Sequence, residues 1–148
     1  DCRNGTENPD TNGTLQAKST GGQSLNLNNV VREAMTVRRL TPLECERLQG
    51  FPDGWTNIGR WHSSKGKRRN TTDSARYKAL GNSIALPPWK WVLKRLCAQY
   101  ARDATMASLF DGIGGFPLIW EQLNGKGSCL WASEIEEFPM AVTKKHFG

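Results

Sequence analysis

The chain has only two histidines and four cysteines in 148 residues, and neither type is clustered. Cys2, Cys45, Cys97 and Cys129 stand far apart, so no pair has the spacing of a metal knuckle. No stretch reaches the roughly 18 consecutive apolar residues that a membrane-spanning helix needs. The first residues do not read as a secretory leader. These absences argue against a metal centre, a membrane protein and a disulfide scaffold. Cys45, Cys97 and Cys129 sit in apolar periodic segments and read as reduced core thiols of an intracellular, cytoplasmic protein. No glycine turn runs on into Gly-Lys-Ser/Thr, which excludes a P-loop. His62 is isolated in a basic stretch and receives no catalytic role. The chain begins at Asp1 and stops at Gly148 just after a helical pattern, so both ends read as cut.

A hydrophobic fraction of 37% over this length allows one modest domain with extended loops. The net charge of +6 is unevenly spread. Residues 1–105 carry 17 Lys and Arg against 9 Asp and Glu, whereas residues 106–148 carry 3 against 5. A basic part separate from an acidic part suits a protein that meets a polyanion on one face and a small molecule on another. The same balance also fits a surface that is merely soluble.

The stretch Ser108 to Phe116 carries the clearest chemical signal. Met106 to Phe110 reads as a buried strand, which breaks into a turn with glycines at 112, 114 and 115. Phe116, Ile119, Trp120 and Leu123 then recur at helical spacing. A strand, a glycine turn and a helix bring free backbone N–H groups close to a ligand. A tight turn that binds nothing has the same appearance. About 20 residues later, as in doubly wound folds, Cys129 to Glu136 reads as a second strand ending in a carboxylate. Glu134 stands where an acid accepts hydrogen bonds from a ribose hydroxyl pair. Asp111 places a second acid inside the turn, which suits a ligand bearing an ammonium or a sulfonium and points to S-adenosylmethionine.

Taken in order, residues 1–35 are rich in turn-forming residues and read as loop-rich β structure, with short strands near Leu15, Leu25, Leu27 and Val30-Val31. Thr41 is a helix N-cap, Pro42 takes the first helical position, Glu44 completes a capping box and Gly50 ends the helix. Leu43 and Leu48 supply its apolar contacts, and Arg38, Arg39 and Arg47 flank it as possible phosphate holders. Phe51 to Trp55 is an aromatic-bearing turn. Arg60, Trp61, His62, Lys65, Lys67, Arg68 and Arg69 form a basic stretch that reads as a solvated loop, or as a contact for a nucleic-acid backbone. Asp73 caps a second helix that ends at Gly81. Gly81-Asn82-Ser83 is a turn that could cradle a carboxylate or amide. Pro87-Pro88 open a helix to about Ala101, with Trp89, Val92, Leu93, Leu96 and Tyr100 on one core-facing side. A last helix, Glu137 to Phe147, has Phe138, Val142 and His146 along one side. Two parallel strands are too few for a covered sheet, so further strands must come from elsewhere.

Four of these segments together resemble the cytosine-5 DNA methyltransferase family. Phe110-Asp111-Gly112-Ile113-Gly114-Gly115-Phe116 is similar to its first motif, and Ser133-Glu134-Ile135-Glu136 to its second. Arg38-Arg39-Leu40-Thr41-Pro42-Leu43-Glu44-Cys45-Glu46-Arg47-Leu48-Gln49-Gly50-Phe51-Pro52 is very close to its ninth. Arg76-Tyr77-Lys78-Ala79-Leu80-Gly81-Asn82-Ser83-Ile84-Ala85 resembles its tenth. The usual family order is reversed here, because the ninth and tenth motifs precede the first. That reads as a circular permutation joined between Tyr100 and Met106, since the natural ends of the family fold lie close together. A start at Met106, with an adjacent gene fused or read through, is the alternative.

The resemblance implies an α/β fold: a partial doubly wound (Rossmann-like) methyltransferase fold plus the loop-rich end of a target recognition region. Residues 1–36 would be the tail of that region. Residues 37–101 would carry the supporting helices, and residues 102–148 the first part of the cofactor unit. S-adenosylmethionine is the implied cofactor. Phe110 and Ile135 would lie against its adenine and Glu134 would hold its ribose. Asp111, Gly112, Ile113, Gly114 and Gly115 would line the methionine part, which Asn82 and Ser83 would close. Double-stranded DNA is the implied partner, with Arg39, Arg60, Lys65, Lys67, Arg68 and Arg69 as contacts. A bacterial or phage setting, such as restriction-modification, follows from the same resemblance.

The family nucleophile is a cysteine that follows a proline, and no cysteine here does. The family's later Glu-Asn-Val segment is also missing. The chain therefore reads as part of an enzyme that needs a catalytic segment, from the same polypeptide or from a partner subunit. A non-catalytic DNA- or cofactor-binding remnant is the second reading. An unrelated dinucleotide enzyme is the third, and preferential binding of a nicotinamide cofactor would favour it.

Overall fold

The computed structural model describes residues 30–33, 36–100 and 104–148. Strands β1 (Val30–Glu33) and β2 (Thr36–Arg39) form an antiparallel pair that leads into helix α1 (Pro42–Gln49). The start of α1 follows its sequence signals. Thr41 Oγ1 accepts from the Glu44 N–H, the Glu44 carboxylate accepts in turn from the Thr41 N–H, and Pro42 stands in the first turn. Gly50 ends the helix in the left-handed region. The buried side of α1 is Pro42, Cys45, Glu46 and Gln49, while Leu48 points to solvent. The expectation for Leu48 was therefore wrong. A polar pair, Glu46 and Gln49, takes the inner face because buried backbone donors and acceptors await it there.

The basic stretch from Arg60 is not an open loop. It forms the antiparallel hairpin of β3 (Arg60–His62) and β4 (Arg68–Asn70), with Trp61 opposite Arg69. Helix α2 (Asp73–Gly81) follows. Its cap is Thr72, whose hydroxyl accepts from the Ala75 N–H, and Asp73 is the first helical residue instead of the cap.

Helix α3 (Leu86–Cys97) is shorter than expected, and its apolar stripe is not core. Leu86 and Leu93 are buried, whereas Trp89, Val92, Leu96 and Tyr100 are more than two-fifths exposed. The spacing was right for a helix, but α3 packs on α4 (Gly115–Asn124) through a narrower seam that includes Trp89 against Phe116. Strand β5 (Met106–Leu109) pairs in parallel with β6 (Cys129–Ser133), and α5 (Glu137–Phe147) closes the chain. This strand–helix–strand–helix unit is the one the glycine turn announced. Burial of β5 was not borne out, since Leu109 and Phe110 are 64% and 86% exposed. A two-stranded sheet has too little area to be covered on both faces. The expected strands before Val30 and the join at Arg102 lie outside the described residues.

One apolar core joins the two halves. Phe51, Leu80 and Leu86 from the first half meet Ile113, Ile119 and Val142 from the second. Beneath the first half lies a buried carboxylate. Glu46 is fully buried and accepts from the N–H groups of Gly54 (2.7 Å) and Thr56 (2.8 Å), from the Thr56 hydroxyl, and from the Arg76 guanidinium (3.1 Å). Arg76 also donates to the Thr56 hydroxyl at 2.9 Å. Removing one partner of such a pair leaves a buried charge unmatched. Arg76→Leu is expected to cost about 3–5 kcal/mol in urea unfolding. The double variant Glu46→Leu with Arg76→Leu should cost clearly less than the two single losses added together.

Candidate functional site

The glycine turn is set by its surroundings. Asp111 N–H donates to the Ser133 carbonyl at 2.9 Å, which extends the β5–β6 pairing into the turn. The Gly112 N–H donates to Glu134 Oε2 at 2.6 Å, and the Gly114 N–H returns to the Asp111 carbonyl at 3.2 Å. Gly114 has φ 82°, and a Cβ there would lie 2.8 Å from Phe147 Cε2. Gly115 lies so close to the turn after α2 that a Cβ would meet Ile84 Cγ1 at 3.2 Å. Glycines stand at both positions because backbone and neighbours leave no room for more. The close approach at Gly115 also sets Ile84, the residue after the Asn82-Ser83 turn, against the start of α4. Sequence positions some 30 residues apart thus meet at one place.

Two carboxylates dominate the site, and they differ. Glu134 is held by three backbone donors: Gly112 at Oε2, and Ile135 (2.6 Å) and Glu136 (2.9 Å) at Oε1. Burial acts to raise its pKa, but the three N–H groups outweigh it and the net shift is downward. Of about four acceptor positions on a carboxylate, three are filled, which leaves one open to a further donor. Asp111 is 7% exposed and accepts from the Ser108 hydroxyl at 2.6 Å through Oδ1. Its Oδ2 is buried and has no hydrogen-bond partner among the described residues. The Thr143 hydroxyl is nearby but has the carbonyls of Gly112 (3.3 Å) and Pro139 (3.2 Å) as acceptors for its one proton. Burial pushes the Asp111 carboxyl up, the Glu134 charge adds to this, and the hydrogen bond from the Ser108 hydroxyl acts against it.

Phe110 and Ile135 flank these acids with 86% and 87% exposure, as two apolar side chains left open. Phe110 adopts φ 53°, the left-handed region that a bulky residue rarely enters. The turn thereby presents its ring outward. A cleft of about 480 Å³ runs along β6 beneath α5, lined by residues 129–134 with Met140, Thr143 and Phe147. It takes in Asp111 and Glu134 but not Phe110, Gly112 or Ile135. This cleft is therefore the space beside β6, which pairs only with β5 among the described residues. The glycine turn opens at its end.

The expected phosphate contacts separate into two groups. Arg38 is bound to Glu44 by two 2.9 Å bonds, and Arg47 donates to Asp53 at 2.8 Å, so both face internal acids. Arg60, Lys65, Lys67, Arg68 and Arg69 share the β3–β4 hairpin and are exposed, while Arg39 stands apart on β2. Arg69 lies over Trp61 and 3.9 Å from Glu137, and Ser64 donates to Glu137 at 2.8 Å. The hairpin is thus anchored to the start of α5. Burial, with the charges of Glu44 and Glu46, raises the Cys45 thiol to about 11, so it stays protonated at neutral pH.

Sequence reasoning missed Ser108, Thr143 and Trp55, each of which bonds to the turn or its acid. Ser108 had a signal, standing three residues before Asp111 in the same motif. Trp55 had none, since it reaches the turn across 58 residues of chain.

The Asp111 shift has a consequence for stability. A carboxyl whose pKa is raised on folding adds stability below its unfolded value, and that contribution is lost as pH rises through the folded value. As pH rises, ionising the buried Asp111 therefore becomes a cost. Asp111→Asn keeps an oxygen for Ser108 and removes the charge. It should raise the thermal midpoint at pH 7 and flatten the pH dependence of stability above about pH 4. Melting curves from pH 4 to 8 check this.

The profile of the family described as C-5 cytosine-specific DNA methylase matches residues 3–98. The DNA N-6-adenine-methyltransferase of Escherichia phage P1 is 40% identical over 96 residues, covering 49% of this chain and 12% of its own length. The type II methyltransferase M.HgiCI of Herpetosiphon aurantiacus is 36% identical over 74 residues, which is 50% of this chain and 14% of its own. The DNA (cytosine-5)-methyltransferase DRM1 of Arabidopsis thaliana is 33% identical over 102 residues, 67% of this chain and 15% of its own. The chain thus spans between 12% and 15% of the length of these relatives. S-adenosylmethionine is the methyl donor of this family. With residues 3–98 matched, the chain belongs to the C-5 cytosine-specific DNA methylase family.

Proposed function

We propose that this chain forms the cofactor turn and the supporting helices of a DNA cytosine-5 methyltransferase, and that the reacting thiol lies outside it. The observation that carries the reading is Asp111 Oδ2, a buried acceptor with no partner among the described residues, on a residue that lines the cleft. A ligand bearing an ammonium supplies the missing donor. The rest of the site suits the same ligand. Glu134 retains one acceptor position for a ribose hydroxyl, and Phe110 and Ile135 offer apolar faces to a purine. Gly112, Ile113, Gly114 and Gly115 admit its methionine part, with Asn82 and Ser83 alongside. S-adenosylmethionine held there supplies an electrophilic methyl group. The residues of this chain bind and orient it, and none of the described residues is placed to attack a cytosine ring.

The tenth-type segment packs directly on the first-type turn through Ile84, with Leu86 just beyond it, against Gly115. Circular permutation is consistent with this, since the order of segments differs while their neighbours in space are joined. The division into a recognition tail to residue 36, supporting helices at 37–101 and a cofactor unit from 102 belongs to the same reading. So does the completion of the doubly wound sheet along β6 by a catalytic segment, in the same polypeptide or on a partner. The relative named for N-6-adenine also favours it. A segment shared with such a protein is not the one that selects carbon 5 of cytosine.

Methyl transfer separates the possibilities. The 148-residue chain with tritiated S-adenosylmethionine and duplex DNA is expected to bind the cofactor and incorporate no label. Label in the DNA would sink the claim that the thiol lies elsewhere. Absence of cofactor binding would leave only a DNA-binding remnant.

The hairpin gives a second test. Arg60, Lys65, Lys67 and Arg68 present cations to solvent from one small element, which fits contact with DNA phosphates. Replacing Lys65, Lys67 and Arg68 by Ala should weaken DNA binding about equally across sequences. It should also lower the slope of log K against log salt by roughly 0.9 for each phosphate that is no longer neutralised. An unchanged slope would remove the hairpin from the interface.

A further inference from the structure

Trp55 lies in the turn after α1 and is 7% exposed. Its indole Nε1–H donates to the Ile113 carbonyl at 2.7 Å, inside the glycine turn. Any buried tryptophan seeks an acceptor for this group. What sets Trp55 apart is how fully its position is fixed. Its ring stacks on His146, with centroids 3.6 Å apart and planes 3° from parallel. His146 Nε2 lies 2.8 Å from the Trp55 carbonyl, and because a carbonyl only accepts, that nitrogen carries a proton. Phe51 and Phe147 pack near its edges at 5.9 and 6.0 Å. On either side in sequence, the N–H groups of Gly54 and Thr56 are held by the buried Glu46.

The carbonyls of Gly112 and Ile113 accept from Thr143 and Trp55 respectively, while the Gly112 and Gly114 N–H groups are bonded to Glu134 and Asp111. One peptide plane links the Ile113 carbonyl to the Gly114 N–H. Fixing the carbonyl therefore fixes the direction of that N–H and the left-handed bend at Gly114. We propose that Trp55 is a positioning residue for the cofactor turn, coupling the Glu46–Arg76 network to the backbone that meets the ligand. The ligand's identity rests on the cofactor reading above, but the coupling does not.

The test replaces Trp55 by benzothienylalanine, which keeps the ring shape and has sulfur in place of N–H. Amide hydrogen exchange of the 148-residue chain is read at Gly112 and Gly114, with Leu80 in α2 as reference. Loss of one neutral hydrogen bond should speed exchange at both glycines by about tenfold and leave Leu80 unchanged. S-adenosylhomocysteine, titrated by calorimetry, should bind about tenfold more weakly. Equal acceleration at all three amides would mean that Trp55 only fills the core, and rates at the glycines within about twofold of the parent would mean that it does not hold the turn. Either result overturns the proposal. If the analogue fails to fold, His146→Phe keeps an aromatic partner and frees the Trp55 carbonyl. Faster exchange confined to Gly112 and Gly114 then supports the coupling, and unchanged exchange overturns it. If the parent chain binds no S-adenosylhomocysteine, the cofactor reading fails, while the exchange comparison still decides the role of Trp55.

Discussion

A single buried carboxylate organises the first half of this protein. Glu46 is fully enclosed and satisfies two backbone N–H groups, one hydroxyl and one guanidinium. A charge can remain in such a place only because these donors surround it. In doing so it ties α1, the 53–56 turn and α2 into one body. The apolar core then joins that body to the strand–helix unit that carries the glycine turn. The site owes its shape to this order of dependence. The turn is bound by β6 through Glu134, by α5 through Thr143 and by the first half through Trp55.

Much of the local structure was legible in the sequence. The capping box at Thr41 and Glu44, the left-handed stop at Gly50 and the glycine turn after β5 depend on neighbouring residues, and all appear as read. Glu134 at the end of β6 was placed by its distance from the turn, and it does touch Gly112. The failures have one physical cause. Periodicity says which residues share a helix face, but not whether anything covers that face. Trp89, Val92 and Leu96 share a side of α3 and remain exposed, as do Leu109 and Phe110 beyond the narrow sheet. A narrow sheet and its flanking helices cannot enclose all the apolar surface that such a sequence provides.

At the site, the acids and glycines were legible because chemistry restricts them to few residue types. The residues that hold them were not. Ser108 and Thr143 are ordinary polar residues until the turn brings them to Asp111 and Gly112. Trp55 belonged to a turn with a structural reading of its own, and its partner carbonyl carries no sequence signature. The cationic stretch from Arg60 hid its hairpin for a related reason. A run of basic residues with one tryptophan looks like solvent exposure whether or not a second strand lies beside it.

The unpartnered oxygen of Asp111 also bears on how long such a protein lasts in a cell. Under the cofactor reading a ligand brings a donor to this buried acceptor, so ligand occupancy and resistance to unfolding become one equilibrium seen from two sides. Proteases act on the unfolded fraction. On that reading the lifetime of the polypeptide follows the supply of the ligand that fits the turn.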